Sequence, residues 1–105
     1  MSLKDSLCSV ASRRILEKGE SVWYGYFKWP DGARWIARLG KNYYRIIHDG
    51  TGNQFYHSHA PQLISEEEAK YTLWKSGLYE KGMEVFGWPP LTDEEEDKFI
   101  RRSSW

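Results

Sequence analysis

The spacing of apolar residues changes period along the chain, and each change marks an element. Leu3, Leu7, Val10, Ala11 and Ile15 recur at helical spacing between Ser2, a capping residue, and Gly19, which predicts a helix over 2–18. From Ser21 to Ala60 the pattern becomes SVWYGYFKW, ARWIARL, YYRIIH and QFYHSHA, broken at Pro30-Asp31-Gly32, Gly40-Lys41-Asn42 and Asp49-Gly50-Thr51-Gly52-Asn53. Aromatic and β-branched runs between such turn residues predict four strands, about 21–29, 33–39, 43–48 and 54–60. Helical spacing returns after Ser65-Glu66-Glu67-Glu68, a capping signature that opens a helix over 66–76 with Ala69, Leu73 and Trp74 facing inward. Gly77 and Gly82 interrupt the apolar positions that follow, so a break or two short segments are expected there, ended by Gly87-Trp88-Pro89-Pro90. Thr92 to Glu95 opens a last, acidic helix over 93–102. The expected architecture is a single α+β domain spanning 1–105. It is a four-stranded antiparallel meander with an N-terminal helix and two or three C-terminal helices packed on one face.

Strand register divides the meander into two faces. A three-residue loop at Pro30-Asp31-Gly32 sets Trp29 opposite Ala33, Phe27 opposite Trp35, Gly25 opposite Ala37 and Trp23 opposite Leu39, an almost wholly apolar face suited to the core. A two-residue Gly40-Lys41 turn adds Tyr44 and Ile46 to that side. The opposite face then carries Tyr24, Tyr26, Lys28, Arg34, Ile36, Arg38, Tyr43, Arg45 and Ile47. Shifting the third strand by one residue would place Arg45 in the core, which favours this register.

Composition limits the classes of function. Residues 1–61 hold nine Lys/Arg against five Asp/Glu, and residues 62–105 hold six against ten, so the net charge is zero while the two halves differ in sign. A duplex-binding domain usually carries an overall basic balance, which is missing. No apolar stretch has the length of a membrane span, and the start lacks the basic-then-apolar order of a signal peptide. Cys8 is alone and can form no intramolecular disulfide, so a cytoplasmic protein is expected.

Candidate chemistry is sparse. His57-Ser58-His59 places two imidazoles on one side of a strand, and His48 lies across the preceding turn, a weak metal-ligand pattern with no carboxylate at a matching spacing. The glutamate and aspartate runs open helices, where the dipole favours negative charge. No phosphate-binding glycine loop or nucleophile elbow is present, and Gly50-Thr51-Gly52 leads into no helix. The reading is therefore a non-enzymatic, cofactor-free binding protein that occupies a surface of a partner protein, as regulators and inhibitors do. Anti-defence proteins of phage and mobile elements act in this way. The expected contacts are Tyr24, Tyr26, Arg34, Arg38, Tyr43 and Arg45, because Tyr and Arg dominate interface hot spots. Glu94, Glu95 and Asp97 on the acidic helix form a second expected contact. A single-stranded nucleic acid using the same face is the first alternative. A metal-dependent enzyme or sensor built on His48, His57 and His59 is the second. A homodimer through an edge strand or the Tyr/Arg face is compatible with the pattern.

Overall fold

The computed structural model describes residues 10–27, 32–48 and 60–104, with Tyr26, Phe27, Gly32, Ala33 and His48 described by backbone alone. Helix α1 (Val10–Lys18) leads into strands β1 (Glu20–Phe27), β2 (Gly32–Leu39), β3 (Asn42–His48) and β4 (Gln62–Ile64). Helices α2 (Glu66–Lys75), α3 (Tyr79–Phe86) and α4 (Asp93–Ser103) follow. The sheet is antiparallel in the order β1-β2-β3-β4, so the chain has the α+β architecture that its pattern predicts. Residues 54–59 of the expected fourth strand and the first eight residues of the expected helix 2–18 lie outside the described residues, and Ala60 is not in a strand. The fourth described strand is Gln62–Ile64, three residues that pair Tyr43 with Ile64 and end at the cap of α2. A strand this short shows too little alternation to register as a pattern.

The β2–β3 hairpin has the expected register, with Trp35 opposite Ile46 and Ile36 opposite Arg45 across a Gly40-Lys41 turn. The β1–β2 register differs. Trp23 faces Trp35 rather than Leu39, the ladder shifts between Trp23 and Gly25, and Phe27 closes opposite Gly32. A bulge inserts one residue into β1, an irregularity that alternation alone does not reveal.

Both faces of the sheet are covered, each by different helices. Ile15 of α1 packs with Ala37 and Ile46, flanked by Leu16, Trp35, Leu39 and Tyr44. On the opposite face, Val22, Ile36 and Tyr43 form a larger cluster with Ala69, Leu73, Phe86 and Trp88. Ile36 and Ala37 are adjacent on β2 and so point to opposite faces. The three C-terminal helices thus share one side, and α1 takes the other. The main C-terminal layer lies on the face expected to be open, whereas Trp23, expected in the core, is 47% exposed. Trp35, Ala37, Leu39, Tyr44 and Ile46 do pack in a core, under α1, so the error lay in taking the arginine-bearing face as open. Arginine buries its stem and sends its head to the rim of a packed face.

Local signals account for the ends of the helices. Ser65 Oγ accepts from the Glu68 amide at 3.0 Å, but the Glu68 carboxylate accepts from Arg102 Nη2 at 2.8 Å instead of returning to the cap. At Thr92 both halves of the capping box form, with Glu95 N donating to Thr92 Oγ1 at 3.1 Å and Thr92 N donating to Glu95 Oε1 at 3.0 Å. Helix α2 ends with Leu78 N donating to Leu73 O at 2.7 Å and Gly77 N to Trp74 O at 3.0 Å, with Gly77 at φ +74°. This paired closure needs a left-handed residue, which is why a glycine stands there. Helix α4 is docked on α2 through Phe99, whose ring lies 5.4 Å from Tyr71 and 5.6 Å from Trp74.

Candidate functional site

Among the described residues, the helical layer leaves one end of the Tyr/Arg face uncovered. Beside the last turns of α2 a cleft of about 380 Å³ is lined by Tyr24, Arg34, Arg45, Ile47, Tyr71, Thr72, Lys75 and Ser76. The strands supply its floor: Arg34 stands opposite Ile47 in the β2–β3 ladder, and Arg45 is one same-face step along β3. The helix supplies its wall, since residues 71, 72, 75 and 76 fall on one helical stripe. Alternation on the strands and helical spacing on α2 therefore converge on a single concavity.

Among the described residues, three cations and no carboxylate line this cleft. Arg45 is oriented by two bonds, Nη2 donating to Thr72 Oγ1 at 3.0 Å and Nη1 to Gln62 Oε1 at 3.4 Å. Thr72 Oγ1 donates in turn to the Glu68 carbonyl at 2.8 Å. The Lys75 ammonium sits 5.9 Å from the centre of the Tyr71 ring and pairs with no carboxylate among the described residues. Arg102 lies 3.8 Å over the same ring, which fixes that wall from the α4 side. The nearest acid along the helix is Glu68, held below the usual carboxylate range chiefly by the hydrogen bond from Arg102, with the charges of Arg102 and Arg45 adding to it. Its negative charge is thus largely committed to Arg102.

The expected contact set divides in two. Tyr24, Arg34 and Arg45 come together in the cleft. Arg38 and Tyr43 lie at the other end of the face and serve the core. Arg38 Nη1 donates to the Phe86 carbonyl at 2.8 Å and its Nη2 to Glu20 Oε1 at 2.6 Å, and the bond to Glu20 is the main reason its pKa is raised. Tyr43 is 4% exposed, contrary to its expected place on an open surface. The side chain of Tyr26 is outside the description.

On the acidic helix, Glu94 is exposed, Glu95 is engaged by the Thr92 cap, and Asp97 pairs with Arg101 one turn on. His57 and His59 lie outside the described residues, and His48 is described by backbone alone. Among the described residues no three of His, Cys, Asp or Glu converge as a metal site, and no helix is long and apolar enough to cross a membrane. Sequence reasoning missed Tyr71, Thr72, Lys75 and Ser76. Their signal was present: they occupy one stripe of a helix whose inward side is Ala69 and Leu73. Comparison with known protein families, with curated proteins and with solved structures found no match for this chain.

Proposed function

We propose that this protein is a non-enzymatic binding module that acts by occupying a surface of a partner protein, as a regulator or inhibitor. The contact centres on the cleft formed by Tyr24, Arg34, Arg45, Tyr71 and Lys75, and the exposed start of α4 around Glu94 provides a separate, acidic contact. The observation that carries this reading is the cleft lining, in which Arg34, Arg45 and Lys75 meet Tyr24 and Tyr71. Residues of these types supply planar hydrogen-bonding groups and large contact area at little entropic cost, the chemistry of interface hot spots. Arg38 and Tyr43 have structural partners and are left out of the contact set.

A single-stranded nucleic acid is the second reading, favoured by the same two tyrosines beside the cations, which offer stacking surfaces next to phosphate donors. Affinity capture by the native chain and by the Arg34→Glu/Lys75→Glu variant tests both. Loss of a discrete protein in the variant, with binding that weakens gently as salt rises, supports the protein reading. Capture of nuclease-sensitive material with a steep salt dependence would replace it.

A further inference from the structure

We propose that α4 is a latch, held on the Tyr71–Trp74 stripe of α2 by one buried ring and a set of ion pairs, and that it lifts off as a unit when those pairs are screened. Phe99 is the buried residue of α4, whereas Ile100 beside it is 48% exposed. Helix α2, by comparison, buries Ala69, Lys70, Tyr71 and Leu73. A single ring packed on Tyr71 and Trp74 is a narrow apolar attachment for a helix of 11 residues.

Charge supplies the rest of the hold. Lys98 Nζ donates to Glu67 Oε1 at 3.0 Å, Arg102 Nη2 donates to Glu68 Oε1 at 2.8 Å, and Lys70 Nζ lies 3.9 Å from Glu95 Oε2. Glu67, Lys70, Tyr71 and Trp74 form one stripe of α2, and Glu95, Lys98, Phe99 and Arg102 form the matching stripe of α4. The Lys98 and Glu67 side chains are 69% and 59% exposed, so dissolved salt reaches that pair directly. Arg102, which also lies over the Tyr71 ring, is itself half exposed.

Sequence-local signals keep α4 helical without help from α2. The Thr92 capping box, the Asp97–Arg101 pair and the basic last turn all lie within it or at its start. The fixed points on either side locate the hinge. Trp88 is buried and bonded to Tyr43, and the Pro89 carbonyl accepts from Tyr79 at 2.8 Å, so the chain up to Pro89 stays with the core. The next ordered feature is the Thr92 cap, which leaves Pro90 and Leu91 to absorb the rotation. Release uncovers the rings of Tyr71 and Trp74. The latch is built from α2 and α4 alone and does not depend on what occupies the cleft.

Hydrogen exchange of the full chain, followed by mass spectrometry at about 20 mM and about 500 mM sodium chloride, tests this. Amides of α4 should exchange ahead of those in β2 and β3, and salt should speed them about twofold or more without changing the strands. Lys98→Glu should speed α4 about two- to fivefold at low salt, and adding Glu67→Lys should restore it. Both side chains are exposed, so neither change disturbs the core. Phe99→Ala should leave α4 with the weak protection of an isolated short helix while β2 and β3 stay slow, and hydroxyl-radical labelling of Tyr71 and Trp74 should rise. Exchange of α4 at the common rate of β2 and β3 overturns the latch, because the helix then opens only with the whole fold. Faster exchange that is indifferent to salt and to Lys98→Glu also overturns it, as end fraying. Loss of strand protection in Phe99→Ala would make α4 an integral part of the core and overturn it too.

Discussion

Trp88 donates its indole N–H to the Tyr43 hydroxyl at 2.8 Å inside the core, linking the Gly-Trp-Pro-Pro stop to the centre of the sheet. The Tyr43 hydroxyl also accepts from Arg38 at 3.4 Å and donates to Glu66 Oε2 at 3.3 Å. One phenol therefore ties β3 to the start of α2 and to the segment after α3. Tyr79 extends the arrangement from the other side, stacking on Trp88 with centroids 5.5 Å apart and donating to the Pro89 carbonyl at 2.8 Å.

Removing that hydroxyl should therefore cost more than one ordinary hydrogen bond. Tyr43→Phe keeps the ring and leaves the Trp88 N–H buried without an acceptor, a penalty of about 1–3 kcal/mol. Urea denaturation will measure it as a lower midpoint at unchanged slope. A midpoint within experimental error of the native one would mean that the bond contributes nothing net.

Gly82 stands where helix propensity and packing conflict. Alanine there gains about 1 kcal/mol of intrinsic helix preference. An added Cβ would lie 2.5 Å from Trp88 Cζ3 and 3.0 Å from Leu73 Cδ1, however, and overpacking of this kind costs about 1–3 kcal/mol. Gly82→Ala should be destabilising by thermal melting, and the double variant with Trp88→Phe should recover part of the loss. A stabilised single variant would show that Trp88 shifts without cost.

These two positions also show what could be read from the sequence. The elements followed from local signals: caps at Ser65 and Thr92, a stop at Gly77, and the Gly40-Lys41 turn that set the β2–β3 register. The sidedness of the sheet did not, because it depends on which helices return to which face. Gly82 read as a helix weakener although its role is to admit Trp88, and Tyr43 read as a surface residue although Trp88 covers it. Half of the cleft was visible as Tyr24, Arg34 and Arg45. The other half lies about 25–50 residues later in the chain, on α2, and only tertiary packing brings it alongside.

Arg38 and Lys75 should respond oppositely to substitution. Arg38→Ala abandons the Phe86 carbonyl and the Glu20 carboxylate together, and it should lower stability by about 1–3 kcal/mol in chemical denaturation. Lys75→Ala removes an exposed side chain and should change stability by no more than about 0.5 kcal/mol. If Arg38→Ala were neutral in stability and abolished partner binding, the division of the Tyr/Arg face into a structural end and a binding end would be wrong.

Glu68 and Arg102 make the docking of α4 dependent on pH. The hydrogen bond from Arg102 lowers the Glu68 pKa, against the opposing effect of burial. A carboxylate whose folded pKa lies below its unfolded value of about 4.3 stabilises the fold fully above that value, and the contribution disappears as pH falls through the folded pKa. The stability gap between native protein and Arg102→Ala should therefore be constant near neutrality and narrow on acidification below about pH 4. It should not close completely, because Arg102 also lies 3.8 Å over the Tyr71 ring, a contact that does not depend on the Glu68 proton. Paired urea titrations across this range measure both parts. In Glu68→Gln the same Arg102→Ala gap should be smaller and flat with pH; a gap that still narrows there would assign the proton to another group.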